Sequence, residues 1–173
     1  MARAKSKGKA AKKKASSRRA GSQASKVDAI SLLKADHRQV ETWFEQFEKS
    51  RSDAKKKDLA TKICNALTVH TEIEEEIFYP AFLEATEDKD MHHEAEVEHD
   101  GAKKLIKEIQ ASGPEDDYYD AKVKVLSEMI KHHVKEEEQR EGMFAEARDS
   151  AMDLKELGER MLARKQQLES ASA

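Results

Sequence analysis

The sequence predicts an all-α protein: an antiparallel up-down-up-down four-helix bundle with an additional C-terminal helix and a disordered basic N-terminal tail. Three observations lead there. Charged residues fill 39% of the 173 positions and aromatics 5%, with two prolines and six glycines, a balance that favours helices over a sheet sandwich. Apolar residues recur in steps of three and four over four long stretches. A histidine interrupts each of these stripes, and the histidines form two similarly spaced pairs, 33 residues from His37 to His70 and 34 from His99 to His133. Each pair fits one helical hairpin.

The first helix is expected over about 28–50. Asp28 is placed to cap it, and Ile30, Leu33, His37, Val40, Phe44 and Phe47 share one face. The second runs from about 54 to 86 on Leu59, Ile63, Ala66, His70, Ile73 or Glu74, and Ile77, with a kink or break expected at Pro80. The third, at about 90–111, carries Ala95, His99, Ala102, Ile106 and Ile109 and stops before Gly113-Pro114. The fourth, at about 117–148, carries Val123, Leu126, Ile130, His133, Glu137 and Phe144. A weaker stripe of Met152, Leu157, Met161 and Leu168 predicts a C-terminal helix at about 150–169, lying against the bundle or a partner.

Residues 1–27 have a different character. They hold ten Lys or Arg and no acid, so against an overall charge of −3 the remainder carries −13. Val27 is the only β-branched apolar residue of this segment, and no aromatic occurs in it, so it cannot bury enough surface to offset the entropy of ordering. Such a tail is suited to nucleic-acid phosphates without base preference, or it serves as a solubilising extension. No apolar run approaches the ~20 residues of a membrane span, and no secretory signal is recognisable. Cys64 is the sole cysteine, which excludes an intrachain disulfide and suits a reducing cytoplasm. With the basic tail, this makes a cytoplasmic, nucleoid-associated location an expectation.

The four histidines and two of the glutamates point to a metal. A buried imidazole is costly unless its nitrogens find partners, and a buried carboxylate more so. Glu74 and Glu137 each follow a histidine by four residues, about 6 Å along the same helix face. The two hairpins would then be related by a rough twofold axis. Four imidazoles and two bridging carboxylates suit two metal ions, and N/O donors of this kind suit Fe, Mn, Zn or Cu better than Ca or Mg. His92, seven residues before His99, is a further candidate ligand. His93 and His132 fall beside the stripes, on the surface. Glu75, Glu136 and Glu138 are expected as solvated flanks, Tyr79 as a core aromatic, with a hydrogen bond near the site as the alternative, and Cys64 as inert packing.

Asp36-His37-Arg38, His70-Thr71-Glu72-Ile73-Glu74-Glu75-Glu76-Ile77-Phe78-Tyr79-Pro80, Glu98-His99 and His133-Val134-Lys135-Glu136-Glu137-Glu138 resemble the motifs of the hemerythrin HHE cation-binding family over about residues 28–148. The resemblance implies a four-helix bundle around a non-haem di-iron centre, oxo- or hydroxo-bridged, with iron preferred over manganese or zinc. It implies His37, His70, Glu74, His99, His133 and Glu137 as ligands, and O2, peroxide or NO as the small molecule handled. Oxygen-carrying hemerythrins have a His-x-x-x-His on the third helix and an Asp as last ligand. Here Ala95 stands four residues before His99, and the last ligand is Glu137. This departure turns the expectation from reversible O2 carriage toward redox or stress-response roles, including peroxide or NO handling and iron or oxygen sensing. A nucleoid-associated structural protein working through its tail is the alternative of a different class.

Overall fold

The computed structural model describes residues 27–171; apart from Val27, the expected basic tail lies outside the described residues. The chain forms α1 (Ala29–Lys49), α2 (Asp53–Ile73), a π-helical turn (Glu74–Phe78), α3 (Tyr79–Thr86), α4 (Lys89–Gln110), α5 (Tyr119–Glu138), α6 (Met143–Asp149) and α7 (Leu154–Ala171). No strand occurs among the described residues, and no helix of theirs is long and apolar enough to cross a membrane. Side-chain caps start four of the helices. Asp28 accepts from Ser31 N at 2.9 Å, Ser52 from Lys55 N at 3.4 Å, Asp88 from Met91 N at 2.9 Å and Asp153 from Glu156 N at 3.0 Å, each satisfying a donor that the first turn leaves free.

The up-down-up-down order follows from how the core is divided. One apolar cluster gathers Ile30 and Leu33 of α1, Ile73 below α2, Ala95 of α4, and Phe144 of α6. A second gathers Val40 to Phe47 of α1, Leu59 to Leu67 of α2, Ala102 to Ile109 of α4, and Tyr119 to Leu126 of α5. Helices α1 and α4 therefore run from the first cluster to the second, and α2 and α5 run back. On every helix the histidine falls at the boundary, so a polar layer separates two apolar halves. Cys64 lies in the second half, 1% exposed, and burial pushes its thiol up to about 11. Its reaction with an aromatic disulfide at pH 8 is expected to be slower than that of the unfolded chain by a factor on the order of 100, read from absorbance with and without denaturant.

Two elements differ from the sequence expectation. The helical run 53–86 does not stop at Pro80. Instead, it widens into a π turn in which Tyr79 N–H reaches Glu74 O, and Pro80 sits in the first turn of α3, where its missing N–H costs little. The helix expected to continue to 148 ends at Glu138. Gln139 turns extended, and buried Gly142 folds back so closely that a Cβ there would stand 2.2 Å from Glu136 O. Only glycine fits this approach. The break lets α6 point Met143 and Phe144 into the first apolar cluster.

Helix α7 lies against the bundle. Leu157 and Met161 join the first apolar cluster, and Gly158 passes the backbone of Val27–Ala29 with no room for a side chain. Arg164 grips Glu76 of the π turn through two bonds of 2.7 and 2.8 Å, and Lys165 pairs with Asp36.

Candidate metal centre

All six residues singled out from the sequence converge in the polar layer. His37, His70, His99, His133, Glu74 and Glu137 are each at most 5% exposed. The imidazoles meet in two pairs, with Nε2 atoms 3.0 Å apart for His37–His70 and 3.2 Å for His99–His133. Glu74 stands between the pairs, its Oε2 at 3.3 Å from both His70 Nε2 and His99 Nε2. Glu137 mirrors it, with Oε2 at 3.4 Å from His37 Nε2 and Oε1 at 3.6 Å from His133 Nε2. The rough twofold relation between the hairpins is thus present in the side chains.

Three imidazoles are held from behind by a carboxylate on Nδ1, at 2.8 Å for His37–Glu138, 2.9 Å for His99–Glu75 and 2.7 Å for His133–Glu98. A carboxylate only accepts, so in these three Nδ1–H donates and Nε2 is turned to the centre, the arrangement that orients metal-binding histidines. At His70 the Asp36 carboxylate stands 3.5 Å from Nδ1, and that buried nitrogen has no hydrogen-bond partner. The pattern is cyclic. Asp36 and Glu98 precede one histidine and hold the next helix's, while Glu75 and Glu138 follow an inner glutamate and reach across. Cations back three members of this outer ring, Lys103 on Glu75, Lys34 and Arg38 on Glu138 and Lys165 on Asp36, and the exposed His132 ring stands 3.2 Å from Glu98. Glu75 and Glu138 are therefore not solvated flanks. Glu136 does stay outside the cluster, accepting from Gln139 Nε2 at 2.8 Å.

Tyr79 is the core aromatic expected, 1% exposed in the first apolar cluster, and it also reaches the site. Its hydroxyl donates to Glu137 Oε1 at 3.3 Å and stands 3.1 Å from His99 Nε2. The π turn is the cause. In an α-helix, Tyr79 would lie about 140° around from Glu74, whereas i and i+5 align in a π turn. His92 does not join the six. It packs its ring 6.0 Å from Tyr79 and groups with His93 and Glu96 at the surface.

The charges show what the layer lacks. Burial holds the His37 imidazolium pKa down to about 4, leaving it neutral. Burial opposes charge on His70 too, but Glu74 and Asp36 override it and push it up to about 10. Glu74 stays ionised despite burial because His70 and His99 face it, whereas burial and the Glu74 charge push Glu137 well above the carboxylate range. Protons thus stand in for positive charge. Both Glu74 oxygens and Glu137 Oε2 are buried without a hydrogen-bond partner, which is costly in an apolar interior. A cation would satisfy these atoms and both Nε2 pairs together. Within the buried layer two groups have donor atoms close enough for one ion each: His37, His70 and Glu74, and Glu74, His99 and His133. The donor set therefore fits a metal.

The comparisons agree in fold and family. A solved hemerythrin HHE cation binding domain-containing protein from Mycobacterium kansasii superposes with a TM-score of 0.70 at 23% identity, over 84% of this chain and 89% of that one. A DNA nickase from Nostoc sp. is 27% identical over 118 residues, 68% of this chain but 33% of the nickase, so the match spans about a third of that relative. Residues 28–145, more than half the chain and the stretch holding all six inner residues, match the hemerythrin HHE cation binding domain, and the chain belongs to that family.

Proposed function

We propose that this chain is a non-haem di-iron protein, with His37, His70, Glu74, His99, His133 and Glu137 as ligands, acting on O2, peroxide or NO in redox or stress chemistry. The observation that carries this reading is the buried layer: two imidazole pairs straddled by two carboxylates with orphaned oxygens. Two histidines and a carboxylate per ion, with positions left open, suit iron better than zinc or manganese. Iron bound there supplies one-electron redox chemistry and open positions for a small oxidant.

The residues do the rest. The outer carboxylates keep Nδ1–H of His37, His99 and His133 in place and their Nε2 atoms free to ligate. The Tyr79 hydroxyl holds a proton at Glu137. A cavity of about 10 Å³ lies over the histidines, closed by Val40, Leu67, Ile130 and Val134. That cavity has room for roughly one water-sized molecule, which suits a small ligand such as O2, NO or peroxide. Protein made in iron-replete medium is expected to hold about two irons per chain with ferric charge-transfer absorption in the near ultraviolet. Stoichiometric zinc, or a chain without metal, would overturn the reading.

A second reading concerns the tail, and the charge split favours it: +10 in residues 1–27 against −13 in the rest. The tail would grip nucleic acid, a role that accords with the name of the nickase relative. Full-length protein is expected to bind DNA with an affinity that falls steeply with salt, whereas residues 28–173 should not bind, because their net negative charge repels phosphates. Equal binding by both in a shift assay would refute the charge argument.

A further inference from the structure

Two openings reach the polar layer from outside, and they carry opposite charge. The first, about 330 Å³ between α1 and α5, ends on His37 and is lined by Arg38, Lys131 and Lys135 as well as Glu41 and Glu138. Arg38 pairs with both of those acids, so this opening keeps a positive excess. The second, about 220 Å³, lies between the start of α4 and the α5–α6 break. Asp88, Asp90, Glu94, Glu98 and Glu136 line it, no lysine or arginine does, and its floor is His133 and Glu137.

Burial along this second opening is graded. Asp90 and Glu94 are exposed, Asp88, Glu98 and Glu136 are half-buried, and His133 and Glu137 are 4% and 2% exposed. The acids are placed by register, since Met91, Glu94, Ala95 and Glu98 share one face of α4. Ala95 contributes only a methyl group to the wall, so the passage is not filled. Glu137, at the inner end of the opening, brings the independent sign of a ligand: its Oε1 lies 3.6 Å from His133 Nε2, and its Oε2, 3.4 Å from His37 Nε2, is buried with no hydrogen-bond partner. Nearby Glu146 is held above the usual carboxylate range by burial and by the Asp88 charge, as expected where negative potential is concentrated.

We propose that this acidic funnel is the route by which divalent cations reach the centre, with Asp90, Glu94 and Glu136 drawing the hydrated ion in and handing it to Glu137 and His133. The inference rests on the two-metal reading and adds a direction to it. Cations are loaded from the α4–α5 side, and the positively charged opening at His37 repels them. Low-dielectric walls lined by one sign of charge raise the local concentration of the opposite ion and its rate of arrival. The gain should fade as salt screens it.

The test is loading kinetics. Full-length protein is stripped by chelation and mixed with Co(II), whose visible absorption reports binding without oxidation. In the triple variant Asp90→Asn, Glu94→Gln, Glu136→Gln, loading is expected to slow about tenfold or more at low salt, to lose most of its salt dependence, and to reach the same final stoichiometry as the parent. Lys131→Gln with Lys135→Gln is expected to leave the loading rate unchanged. Wild-type loading rates in the triple variant, or a rate governed by the lysine pair, would overturn the route while leaving the two-metal reading standing. Failure of the parent to bind any Co(II) or iron would overturn both.

Discussion

Glu74→Ala is expected to abolish binding of both metal ions, whereas Glu75→Ala, one residue along, should retain two ions at an affinity lower by about 10–100-fold. Glu74 is shared by both three-residue groups of the layer, His37–His70–Glu74 and Glu74–His99–His133, so its removal opens both positions at once. Glu75 touches only His99 Nδ1, and Lys103 partly neutralises it, so its loss loosens one imidazole without deleting a donor. The mirrored pair should behave alike, with Glu137→Ala losing metal and Glu138→Ala weakening it through His37. Iron content after dialysis against a graded chelator, with helicity as the folding control, separates the cases. Undiminished affinity in Glu75→Ala and Glu138→Ala would reduce the outer ring to surface ion pairs, and equal loss in all four variants would place the ligands on a different helix face.

How much of this was legible beforehand depended on periodicity. The four stripes, the histidine in each and the i+4 carboxylates follow from a 3.6-residue repeat, and the structure keeps that repeat through α1, α4 and most of α2 and α5. The failures lie where the repeat breaks. At ~100° per residue Tyr79 points away from Glu74, and only the five-residue π turn rotates it onto the site. Pro80 marked the disturbance without revealing its form. The stop at Glu138 had a local signal in Gly142, but the need for that glycine arises from its approach to Glu136 O, a contact across a turn. The outer carboxylates were visible as doublets, Asp36-His37, Glu98-His99, Glu74-Glu75 and Glu137-Glu138. Their function was not, because each acts on a histidine of another helix.

Glu137→Met is expected to destroy metal binding and yet make the metal-free protein more stable, by about 1–4 kcal/mol, a rise of roughly 2–4 °C in Tm per kcal/mol. Without metal, Glu137 is a liability. It is 2% exposed, its Oε2 has no hydrogen-bond partner, and burial together with the Glu74 charge keeps it protonated. A methionine of similar volume removes the desolvated polar group and adds apolar contact. Its neighbours tolerate the change, since His37 is already neutral and Tyr79 keeps His99 Nε2 within reach. Glu74→Met should do the opposite. Glu74 is ionised and faces His70, so deleting it leaves a buried imidazolium that must lose its proton or remain poorly paired, and the metal-free protein should become less stable. Thermal melts in excess chelator decide the matter. Destabilisation of the metal-free protein by Glu137→Met would mean that this carboxyl supports the bundle by itself. The opposing signs expected for two glutamates in mirrored positions follow from the metal-free charge state alone, in which one carries the negative charge and the other the proton.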